Sequence, residues 1–249
     1  MQNEPNLLET NKLQHWSDNK MNVGTSVPLP AYTIDPAFMA KKAEELGFES
    51  IWYAEHAAVP VKSDSPFPAT GGEIPWTYSH FTDPYIALAR ASAVTSKIKL
   101  GTGITLVPER NPLLLAKEIA TLDRYSGGRF QFGIGTGWLR EETELMGGDF
   151  DHRWTQTREA IEVMKELWTK EEAEYHGRYF DFPLVKSYPK PAQDPHPPII
   201  IGGMAKNVLH VTKFLKVDLM LFPKRFKNIK IFMKISCKFA IRCLKTMKP

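Results

Sequence analysis

Between Lys97 and Trp138 the hydrophobic pattern changes period twice. Two short apolar runs, IKLGTGITLV and RFQFGIGTG, flank a segment in which Leu114, Leu115, Ile119 and Leu122 recur at three- and four-residue spacing. That spacing predicts a helix with these four side chains on one face, opened by Asn111-Pro112. Strand, helix, strand at this length is a βαβ unit, so the two strands are expected to run parallel as neighbours. Both strands finish in small residues, where side chains give way to exposed backbone. Repeated βα units with glycine-rich strand ends are how a barrel enzyme builds a cofactor site.

The same reading extends along the chain. Val23 to Leu29 predicts a first strand, and Asp35-Pro36 starts a helix, AFMAKKAEEL, that stops at Gly47. Phe48 to Ala54 predicts a second strand that delivers Glu55 and His56 at its C-terminal end. Asp83-Pro84 repeats the helix start ahead of YIALARASAVTS, which leads to a strand at Ile98. The intervening loop, residues 57–82, is too long for an idle connection. Its Phe67, Trp76, Tyr78 and Phe81 predict a lid, because a solvated linker would be poor in aromatic residues. Downstream, LREETELMGG predicts a short helix, and RWTQTREAIEVMKELWT an amphipathic one burying Ile161, Met164, Leu167 and Trp168. EYHGRYFDF has the alternation of a small hairpin. A Pro-rich surface crossing then leads to Ile199-Ile200-Ile201-Gly202-Gly203, expected to be a fully buried strand. A helix from Ala205 and a weak strand near Leu219 to Phe222 complete the pattern. Six strands, with helices after most of them, make an α/β protein with a parallel sheet. Glycines, acids and His56 gathered at strand C-terminal ends suit a TIM-type (β/α)8 barrel, with a doubly wound sheet as the alternative.

Length and composition refine this in three places. A chain of 249 residues has room for one barrel or two smaller domains. No apolar run approaches the ~20 residues of a membrane helix, and the N-terminus lacks a signal-peptide apolar core. Cys237 and Cys243 have no metal-type spacing, so a cytoplasmic protein without a disulfide scaffold or a metal is expected. Charge is unevenly placed: nine of the 32 Lys and Arg residues lie beyond Asp218, where there are no acids, which leaves the body mildly acidic and the end strongly basic. Lys230, Lys234, Lys238 and Arg242 recur every four residues there, as in a basic amphipathic helix, although the abrupt change of composition favours a truncated or frame-shifted end over it. Such asymmetry can signal nucleic-acid or membrane contact, but it belongs to the tail alone.

His56 is the first candidate for chemistry. It follows Glu55 at a strand end beside the lid, where an imidazole can accept or donate a proton near neutral pH. The competing reading is a histidine packed beneath the lid or exposed on the surface. GIGTG at 133–137 lacks the GxGxxG spacing of a dinucleotide fingerprint. Its glycines let backbone approach a flat or phosphorylated ligand, or make a tight strand-to-helix turn. Gly202-Gly203 before a helix suits an anion by the same logic. Ser126-Gly127-Gly128-Arg129 reads as structural, a helix end turning into a strand with Arg129 pairing across the barrel base.

Taken together, AEELGFESIWYAEH (43–56), LGTGITLVPERNPLLLAKEIATLDRYSGGRFQFGIGTGWLREE (100–142) and YHGRYFDF followed by PKPAQDPHPPIIIGG resemble the luciferase-like monooxygenase family of flavin and deazaflavin enzymes. The resemblance runs from about Asn22 to Pro223. It implies a TIM-type barrel domain over 21–223, followed by a non-family basic tail at 224–249 in place of the last βα units, while residues 1–20, which lack periodicity, read as a disordered or adventitious extension. A barrel without those units would have open sheet edges. The EH pair and the LVPERNPLLLAKE run look most like the branch that uses the deazaflavin coenzyme F420. The resemblance implies hydride transfer to or from a small organic substrate, with His56 as acid/base and Glu55 beside it. It also implies that Gly103, Ile104 and Thr105 form a third-strand bulge with a non-prolyl cis peptide that backs the ring. Gly135, Thr136, Gly137, Trp138 and Glu141 would line the cofactor, and Gly202, Gly203 and Met204 would hold its phosphate, although Met204 replaces the small or polar residue usual there. Reduced FMN reacting with oxygen is the alternative chemistry, and an inactive fragment with an anion-binding tail is an alternative of another class. No nucleic-acid or membrane partner is expected, and a homodimer is the candidate assembly.

Overall fold

The computed structural model describes residues 23–203 and the strand Asp218–Leu221. The extension at 1–20, Met204, the helix expected from Ala205, Phe222, the tail and both cysteines lie outside the described residues.

Three helices start as their Asp-Pro and Asn-Pro pairs dictate. Asp35 caps α1 (Pro36–Glu45), Asp83 caps α2 (Pro84–Ser92) and Asn111 caps α3 (Pro112–Tyr125). In each, the side-chain oxygen accepts from first-turn amides, at 2.7 Å for Ala37, 2.9 Å for Ile86 and 3.0 Å for Leu113, and proline supplies the first helical residue, where no amide is needed. Gly47 and Gly127 follow the ends of α1 and α3 with φ of 78° and 67°, the left-handed turn that stops a helix. α2 is shorter than its sequence pattern and ends at Ser92 rather than Ser96.

The strands are β1 (Gly24–Val27), β2 (Ser50–Tyr53), β3 (Lys99–Thr102), β4 (Thr105–Leu106), β5 (Phe130–Gly135), β6 (Ala173–His176), β7 (Asp181–Val185), β8 (Ile199–Gly203) and β9 (Asp218–Leu221). Between β5 and β6 lie α4 (Arg140–Leu145) and α5 (Arg153–Thr169). β6 and β7 form the expected antiparallel hairpin. All other pairs are parallel, in the order β1-β2-β3-β5-β8-β9, with β4 beside β5. Each new strand is therefore added on the same side of the last. A doubly wound sheet would reverse direction at a switch point, so the strand order sets that alternative aside in favour of barrel winding.

Three details differ from the sequence pattern. The apolar run at 98–107 is two strands, interrupted at Gly103-Ile104 by a cis peptide. Leu114 is 60% exposed, and the buried face of α3 is Leu115, Ala116, Ile119, Ala120 and Leu122. The small alanines beside Leu115 and Ile119 complete the inward stripe and let α3 lie close to the sheet, which leaves Leu114 turned outward. In β8, Ile199 and Ile201 are buried but Ile200 is only half-buried.

The N-terminal ends of the strands are locked by polar contacts. Glu44 accepts from the amides of Ser96, Lys97 and Ile98, the last two at 2.7 and 2.8 Å. Arg129 pairs with backbone carbonyls rather than with an acid, reaching Ser126 at 2.6 Å, Ile98 at 2.8 Å and Thr95 at 3.0 Å. Buried Asp123 pins the Pro-rich crossing through the amides of Ala192 and Gln193 at 2.8 and 2.9 Å. In a barrel this end carries stability, which leaves the other end for chemistry.

Glycines inside the sheet make room for protein. A Cβ on Gly133 would sit 1.9 Å from the Thr102 carbonyl oxygen and 3.3 Å from the Trp52 ring. Backbone cannot swing aside as a side-chain tip can, so Gly133→Ala is expected to destabilise the fold by about 1–3 kcal/mol, the usual cost of overpacking. A lowered urea midpoint with unchanged slope would register it.

Candidate active site

β2 ends at Tyr53, whose carbonyl accepts from Gly103 N at 2.7 Å. Two residues on, the Glu55 carboxylate accepts from Leu106 N at 2.7 Å. These two bonds fasten the β2 end to the Gly103–Leu106 bulge, and so place His56 beside it. Along the run from Leu100 to Glu109, Gly103 and Ile104 are half-buried, and every residue there except these two is buried. The wall of β3 and β4 thus opens at the bulge.

His56 is held from two sides. Its Nδ1 lies 2.5 Å from Oε2 of Glu142, whose side chain is 0% exposed. The other Glu142 oxygen accepts from Ala58 N at 3.0 Å. Against a carboxylate that can only accept, Nδ1 carries the hydrogen, which leaves the lone pair on Nε2. Nε2 has no hydrogen-bond partner among the described residues. The remaining neighbours are aromatic. Ring centroids of Tyr78, Trp138 and Phe81 lie 5.0, 5.8 and 6.1 Å from that of His56. Phe67 packs on both Tyr78 and Trp138, at 5.2 and 5.8 Å.

The 57–82 loop therefore folds over the strand ends as a lid, with Phe67, Tyr78 and Phe81 inward. Trp76 differs, being 65% exposed and edge-on to His80. Glu141 clamps this lid from α4. One of its oxygens accepts from the amides of Asp64 and Ser65, at 2.7 and 3.2 Å. Burial works against its ionisation, but hydrogen bonds from its own amide, Ser65, Asp64 and Ser63 prevail and hold the carboxyl at about 2. With a folded value below the ordinary 4.5, the clamp is fully present above about pH 4.5 and is lost as pH falls toward 2. Glu141→Gln, with a weaker acceptor, is expected to speed protease nicking within 57–82 at neutral pH, measured by the appearance of the two lid-cut fragments. A groove of about 610 Å³ also lies within the lid, lined by Val59, Ser63, Asp64, Ile74, Pro75 and Trp76. None of the His56 ring cluster lines it, so it is a feature of the lid and not of the reacting centre.

The structure brings some of the expected site residues together and takes others away. His56, Gly103, Ile104 and Trp138 share the rim. Thr105 is fully buried, with its hydroxyl 2.8 Å from that of Tyr85. Gly135 and Thr136 are buried as well, and the place of a Gly135 Cβ is filled by Ile104, at 1.9 Å. Gly137 adopts φ 77°, turning the chain over Thr143 and Glu109. Gly202 and Gly203 close β8 at the C-terminal end of the parallel strands. Glu141 serves the lid. Glu55, expected among the catalytic groups, has both oxygens engaged, by Leu106 N and by the Arg110 guanidinium. Burial pushes its carboxyl above the ordinary range, and Arg110 pulls against this. That is a holding role, with one oxygen on the bulge amide and the other on Arg110.

Sequence reasoning missed Glu142, Arg110 and Glu109. Arg110 joins Glu55, Asp83 and Glu118 into one network and lies 4.8 Å over the Tyr85 ring. Glu142 sits in the first turn of α4, where an acid is ordinary because it complements the helix dipole. Its position just after a strand end, on the rim shared with His56, was the available signal.

The family model for luciferase-like monooxygenases matches residues 30–213. The chain belongs to this family. An uncharacterized protein of Mycobacterium tuberculosis is 43% identical over 178 residues, which is 70% of this chain and 63% of that protein. The F420-dependent glucose-6-phosphate dehydrogenase of Amycolatopsis mediterranei is 32% identical over 171 residues, 66% of this chain and 46% of the enzyme. The FMNH(2)-dependent dimethylsulfone monooxygenase of Pseudomonas putida is 34% identical over 117 residues, 46% of this chain and 32% of that enzyme. Among solved structures, a monooxygenase from Streptomyces bottropensis superposes with a TM-score of 0.65 at 26% identity, over 92% of this chain and 68% of that one. The chain thus spans under two thirds of the length of the curated relatives it matches. Proteins similar to this chain thus include one named for F420 and one named for FMNH(2).

Proposed function

We propose that this protein transfers hydride between the deazaflavin coenzyme F420 and a small organic substrate, with His56 as the acid/base. The observation that carries the reading is His56 itself, fixed by the buried Glu142 carboxylate at 2.5 Å and walled by aromatic rings. The half-open Gly103–Ile104 bulge beside it fits a flat ring, since it is apolar and presents backbone where its neighbours are closed. Trp138 would border the ring, and Gly202 and Gly203 would approach its phosphate. The bound coenzyme would supply the hydride acceptor or donor.

The protein's own part follows from geometry. Glu142 orients the imidazole and sets its tautomer, so that Nε2 takes the proton from a substrate hydroxyl as the hydride leaves, or returns it in the reverse direction. The imidazolium so formed is stabilised by the same carboxylate. Phe67, Tyr78 and Phe81 keep water from the reacting atoms, with Glu141 holding the lid down.

Screening F420 in both redox states against small alcohols, aldehydes and unsaturated carbonyl compounds tests this. A substrate-dependent change in deazaflavin absorbance without oxygen uptake is expected. Oxygen consumption with reduced FMN, and no reaction of F420, would overturn it in favour of the chemistry named for the Pseudomonas putida relative.

A further inference from the structure

A second buried carboxyl lies behind the His56–Glu142 pair. Glu109 ends the short helical turn after β4 and is 5% exposed. Its Oε1 accepts from Thr143 Oγ1 at 2.9 Å, and its Oε2 has no partner. The Gly137 turn roofs this hydrogen bond, since a Cβ there would lie 2.9 Å from Thr143 Oγ1 and 3.2 Å from Glu109 Oε1. Thr143 is the residue after Glu142, so one turn of α4 presents both to the same interior.

We propose that Glu109 is a positioning residue for His56, a proton-holding carboxyl whose charge state governs how tightly His56 and Glu142 keep the proton they share. This rests on the reading of His56 as the acid/base. The groups facing Glu109 are Glu142 and Thr143 from α4, Glu55 from the end of β2 and Arg110 from its own turn. Burial, and then the Glu142 charge, push the Glu109 carboxyl up to about 8; Thr143 and Arg110 pull it down, and Glu55 adds to the rise. Near neutral pH Glu109 is thus uncharged, and Glu142 is the acidic side chain in contact with His56. As pH rises through about 8, Glu109 ionises and places a second negative charge beside Glu142. The pair then holds its proton more tightly, which makes His56 a stronger proton acceptor and a poorer proton donor.

The test reads His56 directly. In the wild type, the His56 ring resonances followed by NMR against pH should move a second time near pH 8. Glu109→Gln, close in shape and unable to ionise, should lose that second movement, and Glu109→Asp should keep one. Thr143→Val removes the hydrogen bond that favours the ionised form, so the movement should shift to higher pH, which keeps the idea testable if Glu109→Gln folds poorly. The ratio of turnover at pH 9 to that at pH 7 should differ about threefold or more between wild type and Glu109→Gln, the change expected when a neighbouring charge moves an acid/base group by about half a pK unit. Identical His56 titrations in wild type and Glu109→Gln would overturn the proposal. The NMR result stands whether or not F420 is the cofactor, so failure of the cofactor reading is distinguishable from failure of this one.

Discussion

His56→Ala is expected to lower kcat by about 10²–10⁴-fold, the range that a positioned acid/base supplies, while cofactor affinity changes little. Among the described residues the His56 Nε2 has no hydrogen-bond partner, so the alanine removes the group placed to carry the proton. Glu142→Gln should show part of the same loss, because an amide oxygen still holds Nδ1 but does not stabilise the imidazolium. The two variants separate the roles: the alanine removes the proton carrier, and the glutamine removes what tunes it. Stopped-flow turnover with the substrate found by screening, together with a cofactor titration on each variant, reads both. A kcat for His56→Ala within a factor of two of wild type would remove His56 from the chemistry.

Arg110→Met is expected to be the most damaging single change to stability. Glu55 has a side chain only 4% exposed, and Arg110 supplies the positive charge that makes this tolerable. Removing one partner of a buried pair costs about 3–5 kcal/mol, because the other is left buried and charged. For a domain of this size that corresponds to a fall in Tm on the order of 10 °C. The pH dependence has a defined sign. Without Arg110, burial leaves Glu55 with a folded value above its unfolded one. Stability from that group is then fully present below the unfolded value and is lost as pH rises through the folded one. The deficit relative to wild type should therefore shrink at acid pH and be largest at neutral and alkaline pH. Thermal scans at pH 5 and pH 8 would show it, and an equal loss at both would mean that Arg110 acts through packing alone.

Much of this was legible because it depends on neighbours in sequence. The Asp35, Asp83 and Asn111 caps act on amides two or three residues away, and the β2 end that delivers His56 is a local pattern. The lid aromatics were readable as a class, but which of them turn inward was not: Tyr78 reaches His56 while Trp76 two residues earlier faces solvent. What the sequence hid depends on partners brought together by winding. Glu142 meets His56 across 86 positions, and from sequence it is indistinguishable from Glu141 beside it, although one orients the imidazole and the other clamps the lid. Glu55 was grouped with His56 in the site because it precedes it at a strand end. Alternation then sends its side chain toward Leu106 and Arg110 instead. The glycines of 133–137 looked like room for a ligand, yet Gly133 and Gly135 give that room to Thr102 and Ile104.

On the proposed reading, the rim at His56, Gly103–Ile104 and Trp138 binds a deazaflavin for hydride transfer. Parallel fluorescence titrations of the purified protein with F420 and with FMN test it most directly. Saturable quenching by F420 with micromolar or tighter affinity, weakened by Trp138→Ala, together with much weaker binding of FMN, is the predicted result. Tight binding of FMN with none of F420 would contradict it.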